Sequence, residues 1–250
     1  MVEVRSLMLR GHEVAASIGQ AGDAGRPDVV LVHGIGVSGR YFRPLVDALG
    51  QRVRAVVPDL PGFGASPRPP APLTIAEHAE VVHALAAELG MVRPVLLGHS
   101  MGAQVVTEAA ARHPGDVGGV VLVGPVVDPR APTALGQGLR LLRDAAHEPP
   151  RWSAVQVREY LRCGPRWYLA TLPHMLAYPE ADRLAEVDAP VLLVRGARDP
   201  VAPAPWLADL ADAAPTSAAL PAPRGGHLAH VNGARDLADA VVRLAERSRA

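Results

Sequence analysis

Residues 95–113 read VLLGHSMGAQVVTEAAARH, and the punctuation of that stretch decides the fold. An apolar run suited only to a buried strand, Pro94 to Leu97, passes directly into Gly98-His99-Ser100-Met101-Gly102, and an alanine-rich helical pattern follows without a linker. A Gly-x-Ser-x-Gly string alone is often an ordinary turn in a chain with 24 glycines; a strand before it and a helix after it make it a nucleophile elbow. At such an elbow the serine has strained dihedrals. Gly98 and Gly102 lack the Cβ atoms that would collide as the helix packs back on the strand. Ser100 is then presented at the rim of a sheet. Met101 falls on the helix N-terminus, where an unpaired N–H and the positive end of the dipole can hold a developing oxyanion.

Upstream, residues 2–9 and 12–18 read as a hairpin around Gly11, and Gly19 to Pro27 as a loop. Asp28 to Val32 is a continuous apolar run, as in a strand covered on both faces, and it ends in HGIG at 33–36. Tyr41 to Leu49 has helical spacing, and Val53 to Val57 is a strand leading into DLPGFGAS at 59–66. Thr74 to Leu89 is an amphipathic helix with Thr74 as N-cap and Glu77 three residues on. Gly119 to Val123 makes a further strand.

Beyond it the alternation stops. Residues 126–188 show helical stretches broken by Pro132, Pro149-Pro150, Gly164-Pro165 and Pro173, with no convincing strand. Strand and helix resume with 190–194, 206–213, 217–220 and 236–247. The pattern predicts an α/β fold: an eight-stranded, mostly parallel sheet with helices on both faces, formed by residues 1–125 and 189–250 and interrupted by a helical insertion at 126–188.

Composition narrows the function. The 25 basic residues, all arginine, balance 25 acidic ones, so no electrostatic argument points to nucleic acid or an anionic membrane; a small-molecule partner is expected. A single cysteine, Cys163, allows neither an internal disulfide nor a thiolate metal cluster, and no metal or organic cofactor is expected. The N-terminal residues lack a signal-like apolar region and no apolar run approaches membrane-spanning length, so a cytoplasmic location is expected. A homo-oligomer is compatible with the sequence but not legible in it.

With HGIG at 33–36, DLPGFGAS at 59–66, GHSMG at 98–102, RGARDPVAP at 195–203 and GGHLAH at 225–230 in this order, the chain resembles the α/β-hydrolase superfamily over essentially its whole length. It is similar to small bacterial esterases and carbon–carbon bond hydrolases. The resemblance implies Ser100 as nucleophile, Asp199 as acid and His227 as base, with the backbone N–H groups of Ile35 and Met101 as oxyanion hole and 126–188 as a lid. Position along the chain supports the same set. Ser100 and Asp199 each lie just beyond a strand, at the carboxyl edge where open α/β sheets bind ligands, and His227 follows the last strand in a glycine-rich loop. The chemistry implied is acyl transfer to serine and then to water.

Each residue has a competing reading. Asp199 can serve as a turn opener before Pro200, and Asp128 also follows a strand at the same edge and is the alternative acid. His230 competes with His227, which Gly225-Gly226 and the spacing to the final helix favour. His33 and His99 read as structural rings bonded to loop backbone, residues 59–66 as a turn without chemistry, and Cys163 as a small apolar side chain. Trp152, Tyr160, Trp167 and Tyr168, with Tyr178, concentrate five of nine aromatic residues in the insertion. They either bury that insertion against the sheet or line a substrate pocket. Arg158, Arg162 and Arg166 read as a solvated stripe, or as a partner for a substrate carboxylate if one turns inward. The leading expectation is a serine hydrolase acting on an ester, thioester or lactone of a small to medium, apolar or aromatic substrate. The alternatives are a carbon–carbon bond hydrolase, an acyltransferase, or a non-catalytic ligand-binding protein.

Overall fold

The computed structural model describes residues 2–19, 26–221 and 224–248; most of the loop expected at 19–27 lies outside them. Eight strands, β1 (Val2–Leu9), β2 (His12–Gly19), β3 (Asp28–Val32), β4 (Arg54–Pro58), β5 (Val95–His99), β6 (Gly119–Val123), β7 (Val191–Val194) and β8 (Ser217–Ala219), form one sheet. Its order is β1-β2-β4-β3-β5-β6-β7-β8. The β1–β2 and β2–β4 pairs are antiparallel and all others parallel.

The central strands are buried at nearly every position because both faces are covered. Val30 and Val32 enter one core with Val82 and Leu85 of α2 (Ile75–Glu88) and Val105 of α3 (Met101–Arg112). Val29 and Leu31 enter the other, with Leu45 of α1 (Arg43–Leu49) and Val241 of the last helix, α10 (Ala234–Arg247). In β2, by contrast, Val14, Ala16 and Ile18 alternate with less buried neighbours, as a one-sided strand requires. Truncating a central side chain such as Leu31 to alanine costs about 2–5 kcal/mol. The start of α2 is set by a complete capping box, with Thr74 Oγ1 accepting from Glu77 N–H and the Glu77 carboxylate accepting from Thr74 N–H.

Between β6 and β7 lie α4 (Ala134–Asp144), α5 (Pro150–Cys163), α6 (Pro165–Leu176) and α7 (Glu180–Leu184), with no strand among the described residues there. Pro173 does not break this block as the sequence suggests. It sits in the last turn of α6, which continues past it to Leu176 after forgoing one N–H. The block is fastened to one face of α3: Gln104 Nε2 donates to the Met175 carbonyl (3.0 Å), Thr107 Oγ1 to Glu180 Oε1 (2.7 Å), and Tyr178 Oη to Glu108 Oε2 (2.9 Å). Glu108 also takes Arg112 and Arg183. After β7 come α8 (Ala204–Ala213) and α9 (Ala229–Asn232). Among the described residues no helix is long and apolar enough to cross a membrane.

Candidate active site

Ser100 stands alone between β5 and α3 with φ 58° and ψ −123°. A non-glycine residue held there costs about 1–3 kcal/mol, tolerated because the turn is over-determined. Its N–H donates to the Val123 carbonyl (3.0 Å). A Cβ on Gly98 would fall 2.1 Å from the Gly102 carbonyl oxygen, and one on Gly102 would fall 2.1 Å from the Val32 oxygen. Both glycines are therefore demanded by helix–strand contact. Met101, first residue of α3, has no helical acceptor for its N–H, and the Ile35 amide donates to no acceptor among the described residues.

His227 reaches the same edge from the loop before α9. Its Nδ1 lies 3.0 Å from Asp199 Oδ2, while Asp199 Oδ1 accepts from the N–H groups of Val201 (2.8 Å) and Ala202 (3.0 Å). With its proton on Nδ1 and directed at the carboxylate, the imidazole keeps a lone pair on Nε2. Burial alone would raise Asp199 and lower His227. The ion-pair attraction and hydrogen bonds outweigh it, leaving Asp199 below its ordinary pKa and His227 above.

His227 is held through its carbonyl as well. The Gly34 N–H donates to Tyr41 Oη (2.9 Å), Tyr41 lies 2.8 Å from His99 Nδ1, and His99 Nε2 lies 3.0 Å from the His227 carbonyl oxygen. His33 is likewise bound to backbone, with Nε2 accepting from Leu60 N–H and Nδ1 facing the Gly34 carbonyl. Both rings are thus structural, as the sequence suggested. So is the 59–66 turn, where Asp59 accepts from Gly39 and Ala65 N–H and Ser66 Oγ donates to the Asp59 carbonyl.

The rival residues are placed elsewhere. Asp128 is buried and turned to Arg130 and Arg140, and the structure brings Asp199 rather than Asp128 to His227. His230 is packed among Tyr41, Phe42 and His99, and burial lowers it to about 3. Cys163 is buried, which raises its thiol.

Ser100 and His227 line one cavity of about 200 Å³ together with Ile35, Leu141, Tyr160 and Tyr168. Its walls are mostly apolar, and no arginine or carboxylate lines it among the described residues. Two of the four aromatic candidates, Trp152 and Trp167, lie outside this cavity. Trp167 covers Gly62, where a Cβ would lie 2.4 Å from its ring, and carries the Arg68 guanidinium at 5.5 Å; it fills the 59–66 turn. Trp152, two helical turns before Tyr160, lines a separate open groove of about 760 Å³ beside Arg43 and Val57, a groove that contains neither Ser100 nor His227. Arg158, Arg162 and Arg166 are exposed and face no part of the cavity. Away from it, His83, His113 and Asp116 place ligand atoms within 4.8 Å of one another, but both rings are already bonded to carboxylates.

Sequence reading missed Tyr41, Asp144 and Glu148, all of which contact this site's loops. The only signal was Gly226, whose missing side chain makes room for Asp144 and Glu148.

A family model described as the alpha/beta hydrolase family matches residues 29–240, and the chain belongs to that family. Over 100 residues it is 39% identical to the pimeloyl-[acyl-carrier protein] methyl ester esterase of Edwardsiella ictaluri, an alignment covering 40% of this chain and 37% of that enzyme. It thus spans little more than a third of that relative's length. Over 246 residues it is 30% identical to the magnesium-chelatase 30 kDa subunit of Rhodobacter capsulatus, covering 84% and 83% of the two chains. The structure superposes on the malate-bound thermophilic esterase of Thermogutta terrifontis with a TM-score of 0.83, covering 99% of this chain and 100% of that one at 21% identity.

Proposed function

We propose that the protein is a serine hydrolase of carboxylic esters. The observation that carries this reading is the His227–Asp199 pair, 3.0 Å apart, opening onto the same cavity as a serine held at φ 58°. His227 Nε2 takes the Ser100 proton as Oγ attacks the ester carbonyl. Asp199 fixes the tautomer and stabilises the imidazolium. The amides of Ile35 and Met101 hold the oxyanion of the tetrahedral intermediate. On collapse the leaving alcohol takes the proton back from His227. A water, deprotonated by the same nitrogen, then cleaves the acyl-enzyme to release the acid and free Ser100.

The cavity suits a small to medium, uncharged acyl group, since about 200 Å³ of apolar wall carries no counter-charge for a carboxylate. Thioesters and lactones of that size meet the same requirement. The block at 126–188 acts as the lid, with Tyr160 and Tyr168 as its contribution to the pocket.

A fluorophosphonate probe and p-nitrophenyl butyrate test this directly. Ser100 should be labelled in the native protein, and Ser100→Ala should lose labelling and at least about a thousandfold of kcat/KM. Native protein that neither labels nor hydrolyses the ester would sink the reading in favour of ligand binding. Cleavage of ring-fission diketones in place of esters would replace it with carbon–carbon hydrolysis.

A further inference from the structure

We propose that Asp144 and Glu148, carried by the helical block and not by the sheet, are positioning residues for His227: they grip its loop through the main chain, so the base is set only while the block is seated. This rests on the reading of His227 as the general base.

The loop at 225–228 begins with two glycines and is held by its backbone. Two anchors come from the sheet side, where the Gly225 carbonyl accepts from Arg198 N–H (2.9 Å) and the His227 carbonyl faces His99 Nε2 (3.0 Å). The other two come from the block. His227 N–H donates to Asp144 Oδ1 (2.7 Å), and Leu228 N–H donates to Glu148 Oε1 (2.6 Å). The second Glu148 oxygen accepts from Asn232 Nδ2 (2.8 Å), which extends the grip into α9. These are short, charge-assisted bonds, stronger than the neutral pair on the sheet side.

Asp144 and Glu148 are 1% and 7% exposed, and neither pairs with an arginine among the described residues. A buried carboxylate without a cation is costly, so a pair of them on one loop calls for a compensating partner, and the loop's N–H groups supply it. The geometry leaves no slack. A Cβ on Gly226 would fall 2.0 Å from Asp144 Oδ1 and 3.0 Å from Glu148 Oε1, and one on Gly196 would fall 1.9 Å from the Gly226 carbonyl oxygen. Residue 226 is therefore sandwiched between the turn after β7 and the two carboxylates.

The same pair acts on charge. The titratable groups facing His227 are Asp199 after β7, Asp144 and Glu148 in the block, His99 ending β5 and His230 on α9. Burial keeps both neighbouring histidines neutral near pH 7. Asp144 and Glu148 thus add to Asp199 in favouring the imidazolium. Burial, reinforced by Glu148 and Asp199 against the pull of His227, brings Asp144 itself to about 6.

The test compares Asp144→Asn and Glu148→Gln, which keep an acceptor oxygen but lose the charge, with Asp144→Ala and Glu148→Ala. It reads kcat and KM for p-nitrophenyl butyrate, thermal midpoint, and the His227 imidazole pKa by NMR, which needs no activity. The amide variants should lower the His227 pKa, and with it the acid limb of kcat/KM, by about half a unit or more. The alanine variants should lose about tenfold or more in kcat with KM nearly unchanged, and the amides should restore most of that loss. If the alanine variants fail to fold, the amide pair decides by the imidazole pKa. An unmoved pKa in the amide variants, or a kcat loss that follows the thermal midpoint without rescue, overturns the proposal. Full hydrolysis by Ser100→Ala would instead overturn the reading it rests on, while the NMR arm would still report on the grip.

Discussion

Tyr41 Oη lies 2.8 Å from His99 Nδ1, and this contact joins the loop at 33–36 to the loop that carries His227. The direction of every bond is forced. Gly34 N–H can only donate, so the Tyr41 hydroxyl accepts there and spends its own proton on His99 Nδ1. His99 must then carry its proton on Nε2, facing the His227 carbonyl. Burial, with His230 and His227 nearby, holds His99 well below its ordinary pKa and keeps this tautomer neutral. Tyr41→Phe would leave the Gly34 N–H and His99 Nδ1 buried without partners, at a cost of about 1–3 kcal/mol. Urea denaturation measures it; a phenylalanine variant as stable as the wild type would dismiss the chain.

The dihedrals of Ser100 lead to an opposite expectation. Glycine has no Cβ to strain at φ 58°, so Ser100→Gly should be more stable than wild type by about 1 kcal/mol or more, whereas Ser100→Ala keeps the strain. Equal midpoints for the two variants would show that the turn holds no strain.

Glu180 gives a pH dependence of stability unrelated to activity. Its carboxyl is buried, accepts from Thr107 and faces Glu108, and burial chiefly raises it to about 8. The folded protein therefore binds a proton that the unfolded chain releases near its ordinary value of 4.5. The unfolded state holds fewer protons across that window, so stability falls as pH rises from there to about 8 and levels off above. Glu180→Gln should flatten this slope in thermal midpoints taken from pH 5 to 9. A slope unchanged by the substitution would assign it to other groups.

Tyr160 and Tyr168 stand edge to face, with centroids 5.8 Å apart, where they wall the cavity. Tyr168→Ala opens that wall and should raise kcat/KM for longer acyl chains relative to butyrate by about tenfold, the range expected for a few methylenes in an apolar pocket. Trp152→Ala and Trp167→Ala, which lie outside the cavity, should leave the chain-length profile unmoved.

Much of the fold was legible because its signals are local. Asp28–Val32 and Gly119–Val123 are bounded as read, since an apolar run flanked by turn residues has little else to become. Ser100 was legible because strand, turn and helix adjoin in sequence. Asp199 needed the resemblance as well as its position, for nothing local separates it from Asp128, whereas Gly225-Gly226 and the spacing to the final helix already favoured His227 over His230. The supporting residues were opaque for a different reason. Asp144 and Glu148 act on main-chain atoms 83 and 80 positions away, a pairing that leaves no spacing to recognise. Aromatic content marked the insertion as important but carried no direction: Tyr160 turned to the cavity, whereas Trp152, on the same helix, met the open groove.

The seat of the helical block on the histidine loop also bears on how the enzyme would fail. The sheet, cored on both faces, should be the last part to melt, while the block carries the exposed Leu135, Leu142 and Leu161 and is joined to that loop by two acidic side chains. Partial opening there would disarm the molecule with its core intact. Turnover should thus vanish at lower denaturant than circular dichroism does, making lost activity an early warning and not a measure of unfolding.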